Sequence, residues 1–208
     1  MSRINPKFII IDGNALLHRS FHALPPLTST KGELVNAVYG FTMVLLKVLR
    51  EFKPEFVAVA FDKKEKTFRH EKFKEYKAHR VKQPDELYEQ IPWLKEVAKV
   101  FNIPIFEKTG FEADDLIGTL SHLAKKENQK VENIIVTGDL DALQLVDRQT
   151  KVYTMKKGVT DTIIYDNNMV KERYGLEPEQ MIDFKALAGD ASDNIPGVKG
   201  IGEKTDIE

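Results

Sequence analysis

Phe8-Ile9-Ile10-Ile11-Asp12-Gly13-Asn14 is the stretch from which the fold is read. Four consecutive apolar residues leave no polar face. Such a run suits a strand covered on both sides, as at the centre of a parallel sheet. It ends at Asp12-Gly13-Asn14, and helical spacing follows over about 15–22. The pattern recurs. Phe56-Val57-Ala58-Val59-Ala60-Phe61 ends in Asp62, and Asn133-Ile134-Ile135-Val136-Thr137 ends in Gly138-Asp139-Leu140-Asp141. A further run, Ile103-Pro104-Ile105-Phe106, carries a proline that cannot donate to a ladder, which puts it near a sheet edge. Helical spacing fills the intervals: 35–50, apolar on most sides and therefore expected to be mostly buried; 87–101, kinked or restarted at Pro92; and 112–127. A strand near 151–155, a hairpin-like return through Ile163-Ile164-Tyr165, and helices near 168–174 and 178–187 complete the chain. Strands alternating with helices predict an α/β fold, a mainly parallel central sheet flanked by helices.

In open parallel sheets the site lies beyond the carboxyl ends of the strands, and three of these strands release an aspartate there. Gly110-Phe111-Glu112-Ala113-Asp114-Asp115-Leu116-Ile117 adds three carboxylates at the head of a helix. A helix N-terminus favours one or two acids through its free N–H groups and dipole. Three acids between Phe111 and Leu116 exceed that need, because two carboxylates about 4 Å apart repel by roughly 4 kcal/mol at an effective dielectric near 20. The candidate ligands are Asp12, Asp62, Glu112, Asp114, Asp115, Asp139, Asp141, Asp190 and Asp193. The set has oxygen donors only, which selects hard cations, magnesium or manganese. It holds more carboxylates than one ion needs, which points to two.

The chain has no cysteine, which excludes disulfides, thiolate zinc sites and thiol catalysis. No apolar run approaches membrane-spanning length and the first residues lack a signal-peptide core, so a soluble, cytoplasmic protein without membrane contact is expected. Formal net charge is −1, and nucleic-acid binding therefore requires a local patch. Residues 63–82 supply one: nine Lys or Arg, among them Arg69, Lys77 and Arg80, against three Glu, a net +6, with Phe68, Phe73 and Tyr76 interleaved. A solvated helix with a narrow apolar seam is one reading. The other is a basic, aromatic-bearing arch that grips phosphates and stacks bases. Gly197-Val198-Lys199-Gly200-Ile201-Gly202 reads either as an ordinary glycine turn or as a hairpin whose N–H groups face phosphate oxygens. Acids that hold metals beside cations that grip phosphate point to a metal-dependent phosphodiesterase acting on nucleic acid.

Six motifs, Ile11-Asp12-Gly13-Asn14, Phe61-Asp62, Tyr76-Lys77-Ala78-His79-Arg80, Glu112-Ala113-Asp114-Asp115, Thr137-Gly138-Asp139-Leu140-Asp141 and Gly189-Asp190-Ala191-Ser192-Asp193-Asn194-Ile195-Pro196-Gly197, occur in the order found in the 5′ nuclease (flap endonuclease) family, which the chain resembles along essentially its whole length. The match is best in the branch of bacterial polymerase-attached 5′→3′ exonuclease domains. The resemblance implies a PIN-like core over 1–177 that includes a helical arch at 63–82, followed by an incomplete helix-hairpin-helix over 178–208. It implies a structure-specific 5′→3′ exonuclease and flap endonuclease of DNA replication and repair, monomeric, working in the bacterial cytoplasm at the nucleoid. The substrate would be branched, nicked or 5′-flap duplex DNA, cut to leave 5′-phosphates.

By the same resemblance Asp12, Asp62, Glu112 and Asp114 hold a first magnesium ion. Asp115, Asp139, Asp141, Asp190 and Asp193 serve a second, some through water. Lys77, Arg80, Asp12 and Asp115 take catalytic roles. Lys77 and Arg80 steady the scissile phosphate, Arg69 adds a DNA contact, and Tyr76 stacks near the displaced nucleotide. Gly197, Lys199, Gly200 and Gly202 grip duplex DNA, with a potassium ion at the hairpin. Family members continue past the hairpin, whereas this chain ends at Glu208. The second hairpin helix, from about Glu203, is thereby cut short, which predicts weak, salt-sensitive duplex binding. A DNA-structure-binding module with little or no turnover is the alternative. A phosphomonoesterase with an aspartyl nucleophile is disfavoured, because Asp12-Gly13-Asn14 lacks the second aspartate two residues on. A ribonuclease stays open, since no reader of the 2′-hydroxyl is identifiable.

Overall fold

A computed structural model describes residues 5–201. Its first strand, β1 (Lys7–Asp12), lies between β2 (Phe56–Ala60) and β4 (Glu132–Val136), parallel to both, with Ile10 opposite Ala58 on one side and Ile135 on the other. β3 (Ile105–Phe106) extends the sheet beyond β2, and β5 (Thr150–Lys157) and β6 (Asp161–Tyr165) extend it beyond β4, in the order β3-β2-β1-β4-β5-β6. All pairings are parallel except β5 with β6. β3, which begins directly after Pro104, takes an edge, as expected for a run that carries a proline.

The apolar run of β1 is buried on both faces. Ile9 and Ile11 pack with α1 (Gly13–Ala23), α2 (Asn36–Phe52) and α5 (Ile91–Val100). Ile10 packs on the opposite face with α6 (Ala113–Glu127), α7 (Asn167–Tyr174) and α8 (Met181–Ala188). All three isoleucines are at most 1% exposed, worth roughly 1.5–3 kcal/mol each. Going from β1 to β2 and β3 the chain fills one half of the sheet, and from β4 to β5 the other. The order therefore reverses at the β1/β4 boundary, and a crevice forms at the carboxyl ends of those strands.

Gly13, the first residue of α1, fixes how closely α1 approaches β2. A Cβ there would lie 2.3 Å from Cε1 of Phe61, a ring that is 1% exposed and has nowhere to move. The roughly 1 kcal/mol of helix propensity that alanine would gain is smaller than the overpacking. Gly13→Ala is expected to lower stability by roughly 1–3 kcal/mol, read as a lower Tm in thermal denaturation. An unchanged or higher Tm would show that the Phe61 ring yields.

Two expectations need correction, and a third resolves between its alternatives. The helix at 35–50 is not buried on most sides: Ala37, Phe41, Val44, Leu45 and Val48 face the core, while Tyr39, Met43 and Leu46 are exposed. Its N-terminus has no side-chain cap of its own, and buried Gln90 accepts the Ala37 N–H at 2.9 Å instead. At 87–101 the restart alternative holds: α4 (Asp85–Tyr88) ends and α5 begins anew, with Pro92 in the first turn of α5, where it has no N–H to lose. Residues 63–82 do not form a helical arch. They hold one short helix, α3 (Phe68–Lys72), followed by turns that pass through Lys77 at φ 56°. No apolar periodicity runs through this segment, so its path is set by distant ion pairs.

After α8 the short strands β7 (Gly189–Asp190) and β8 (Ile195–Pro196) pair antiparallel. Gly202 and the helix expected from about Glu203 lie outside the described residues. No helix among the described residues is long and apolar enough to cross a membrane.

Candidate functional site

Asp12 ends β1 and caps α1: its Oδ1 accepts the Ala15 N–H at 2.8 Å and its Oδ2 the Thr137 hydroxyl at 2.7 Å. The Thr137 Oγ1 in turn accepts the Asp139 N–H at 3.0 Å, so one threonine after β4 ties two strand-end aspartates together. Asp62, beyond β2, donates its backbone N–H to Asn14 Oδ1 at 2.9 Å, and its Oδ1 accepts the Ala113 N–H at 2.6 Å. The caps of α1 and α6 thus hold Asp12 and Asp62 at the crevice. Asp114, in the first turn of α6, completes this inner group and has no hydrogen-bond partner among the described residues.

Electrostatics marks the inner group as a unit. Burial, reinforced by Asp62 and Asp139, pushes Asp12 up to about 6 against the Ala15 and Thr137 hydrogen bonds. Burial and the neighbouring Glu112 raise Asp62, although the Ala113 N–H, Lys77 and Arg80 oppose it. Asp114 presents surface to water, yet its depth in the cleft and the charges of Asp12, Asp139 and Asp62 push it up to about 8.

The outer acids each carry a cation. Arg69 forks onto Asp115, Nη1 to Oδ2 and Nη2 to Oδ1, both at 2.8 Å. Burial raises Asp115, but the Arg69 fork and the Glu112 N–H outweigh it and hold the carboxyl below its ordinary range. Lys77 Nζ lies 3.1 Å from Glu112 Oε2, and Arg80 pairs with Asp193. The Tyr76 hydroxyl sits 3.0 Å from both Glu112 Oε2 and Asp193 Oδ2. Burial and those two acids drive that phenol well above its ordinary range. Lys185 of α8 bridges Asp141 at 2.8 Å and Asp190 at 2.9 Å. Burial raises Asp190 less than Ser192 and Lys185 lower it, to about 2. Burial and Asp139 keep Asp141 raised despite Lys185.

All nine candidate acids lie at the carboxyl-end crevice or on its rim. Two cavities flank the outer ion pairs, one of 680 Å³ on the Asp12 side and one of 610 Å³ beneath α3 against α8, with Glu112 and Asp114 lining both. Among the described residues no three carboxylates close on a common point as a ready ligand set. The donors nonetheless suit a hard cation, being all oxygen, mutually repelling and, at Asp114, without a partner. Lys77 and Arg80 stand at the acids. Tyr76 is 5% exposed, so it offers the crevice its hydroxyl more than a stacking face. Gly197, Lys199 and Gly200 lie on the exposed turn after β8, with Gly197 packed against Gly189, next to Asp190.

Sequence reasoning missed Thr137, Asn14 and Lys185. The signal for Thr137 was its place at the end of β4, level with Asp12 across the sheet. For Lys185 it was a lone cation on a helix five residues before Asp190.

A family model described as 5′-3′ exonuclease, N-terminal resolvase-like domain matches residues 7–175, and one described as 5′-3′ exonuclease, C-terminal SAM fold matches residues 176–208. DNA polymerase I of Bacillus subtilis (strain 168) is 50% identical over 202 residues, which is 97% of this chain and 23% of that protein. DNA polymerase I of Mycobacterium bovis is 47% identical over 205 residues, 98% of this chain and 22% of that protein. This chain therefore spans less than a quarter of the length of these curated relatives. Among solved structures, T5 5′-exonuclease with bound divalent metal ions (zinc) superposes with a TM-score of 0.75 at 24% identity, covering 97% of this chain and 73% of that one. The catalytic core of Rad2 in complex with DNA substrate superposes with a TM-score of 0.58 at 20% identity, covering 98% and 60%. At such identities the likenesses speak for the fold, a mainly parallel sheet between helices. With the family model spanning the whole sheet and every strand-end aspartate, the chain belongs to the 5′-3′ exonuclease family.

Proposed function

We propose that this chain hydrolyses phosphodiester bonds of DNA near a 5′ end or flap, using two hard divalent cations, magnesium or manganese, at the acid crevice. The carrying observation is the inner group of Asp12, Asp62, Asp114 and Asp139, gathered at a strand-end crevice beside a +6 segment, with no Lys or Arg bonded to it among the described residues. Asp12, Asp62, Glu112 and Asp114 would hold one ion, and Asp115, Asp139, Asp141, Asp190 and Asp193 the other, some through water. When bound, such a pair lowers the pKa of an attacking water and stabilises the leaving oxygen of an in-line displacement. Thr137 and the α1 cap keep Asp12 turned into the crevice, and Asn14 and the α6 cap do so for Asp62. Lys77 and Arg80 bring positive charge to where the phosphate must sit. Branched, nicked or 5′-flap duplex DNA is the substrate that the motif resemblance implies, and the exonuclease family and the DNA-bound Rad2 neighbour support DNA as the polymer. The exposed turn with Gly197, Lys199 and Gly200 suits the duplex backbone, with potassium as its ion. The setting is a monomer in the bacterial cytoplasm.

Cleavage of a labelled 5′-flap duplex should appear with magnesium and vanish with EDTA, and a plain phosphate monoester should survive. Binding of the flap without product would instead favour a DNA-structure-binding module. Lys77→Ala and Arg80→Ala should each slow the single-turnover rate by roughly a hundredfold, because their charge acts on the transition state. Normal rates at saturating enzyme with collapsed affinity would make them phosphate anchors only.

A further inference from the structure

We propose that Arg69 is a built-in counter-cation that occupies Asp115 while no divalent cation does, and so holds the 63–82 segment closed over the carboxylates. The inference rests on the reading that the acid crevice binds divalent cations. Both oxygens of Asp115 are committed: Oδ1 to Arg69 Nη2, and Oδ2 to Arg69 Nη1 and the Glu112 N–H at 2.9 Å. The same guanidinium reaches within 3.9 Å of Glu112 Oε2. A cation can gain Asp115 only if Arg69 withdraws.

No other ion pair holds α3 to the core among the described residues. It has no buried residue. Its other ties among the described residues are one N–H, from Phe68 to the Gly110 carbonyl at 3.1 Å, a tilted ring pair with the exposed Phe111, an edge-on contact of His70 with the buried Tyr76, and the buried Thr67 at its N-cap. The forked, charge-assisted pair is therefore the strongest directional bond that α3 makes.

The rest of the segment is fastened the same way. Lys77 sits on Glu112, Arg80 on Asp193, and the Tyr76 hydroxyl on both acids. Two backbone-level stitches, the Lys77 N–H to the Asp193 carbonyl at 2.9 Å and the Asn194 side chain to the Glu75 carbonyl at 2.8 Å, close the far side. The carboxylates that would bind cations are thus the ones that hold the cover down. Ion binding and cover closure compete for one set of charges, and the coupling must be reciprocal: what loosens the cover tightens the site. The freed Arg69 fork then matches a phosphate as well as it matched Asp115.

The test uses the full chain without DNA and Mn²⁺ alone as the probe. Mn²⁺ affinity is read by electron paramagnetic resonance, and the 63–82 amides by hydrogen exchange with mass spectrometry. In the wild type, Mn²⁺ should accelerate exchange across this segment. In Arg69→Ala, exchange should already be fast without Mn²⁺, and Mn²⁺ should bind roughly three- to fivefold more tightly. Arg69→Lys keeps the charge and loses the fork, so it should fall between the two. It decides the matter if the alanine variant fails to fold by circular dichroism. Mn²⁺ binding with an unresponsive segment, or weaker binding in the variants, would overturn the latch alone. No Mn²⁺ binding by any of the three proteins would overturn the latch and the cation reading together.

Discussion

Asp114→Asn is expected to lower magnesium-dependent cleavage of a 5′-flap duplex by roughly a thousandfold, the loss that ~4 kcal/mol of transition-state stabilisation represents. It is also expected to raise the Tm of the cation-free protein. The two effects have one cause. The Asp114 carboxylate faces Asp12, Asp139 and Asp62, which raise its pKa together with its depth in the cleft, and it has no hydrogen-bond partner among the described residues. Asp114 accepts no hydrogen bond from the described residues, so an asparagine of the same shape strands no protein donor, leaves its own amide N–H groups to water or the neighbouring carboxylates, and removes one of the repelling charges, for a gain of about 1 kcal/mol once contact with water is allowed for. It also removes a ligand that a hard cation needs. Few substitutions of a merely structural residue raise stability while abolishing turnover. The measurements are single-turnover cleavage in magnesium and thermal denaturation in EDTA. Cleavage within tenfold of wild type, or a lowered Tm, would remove Asp114 from the cation site.

The sheet was legible because its signal is local. Residues 8–11 and 56–61 are unbroken apolar runs closed by an aspartate, and 134–136 is a shorter one with Asp139 three residues on; such runs fix both strand and strand end without any distant partner. The acid crevice followed from the same runs through the rule on carboxyl ends. The cover was not legible. Arg69 meets Asp115 across 46 positions, and Arg80 meets Asp193 across 113. Within 63–82 no apolar period sets a path, so nothing local could check the helical arch that the resemblance implied, and one short helix and turns are found instead. The misread face of α2 has a related origin. Tyr39, Met43 and Leu46 are as apolar as Phe41 and Val44, and composition does not tell which side meets α1. Thr137 and Lys185 escaped because a single hydroxyl or ammonium carries no pattern until the fold sets it against an acid.

The cation-free protein should lose stability as pH rises from 5 to about 8.5, and magnesium should restore it. Asp12 is 4% exposed, and burial with Asp62 and Asp139 lifts it from 3.8 to about 6. Asp114 is lifted from 3.8 to about 8. A carboxyl whose folded pKa lies above its unfolded value binds more protons in the native state over that interval. Its contribution to stability is full below 3.8 and is lost as pH climbs through the folded value. Asp62 and Asp141, both raised, act in the same direction. His18 acts in the opposite one, because burial, His22 and Arg80 lower its pKa, so the native state gains relative stability as pH rises through the ordinary histidine range. Asp115 and Asp190 are held low and are ionised in both states throughout this window, so they add no slope. The net loss is ~3 kcal/mol, about half from Asp12 and the rest from Asp114 after discounting for its contact with water. For a chain of this length that corresponds to a fall in Tm of roughly 6–12 °C. A hard cation relieves the repulsion that creates the slope, so magnesium should raise Tm far more at pH 8 than at pH 5. The measurement is Tm against pH in EDTA and in magnesium, for the wild type and Asp114→Asn. A flat EDTA profile, or a magnesium increment equal at both pH values, would show that the inner carboxylates do not share their charge.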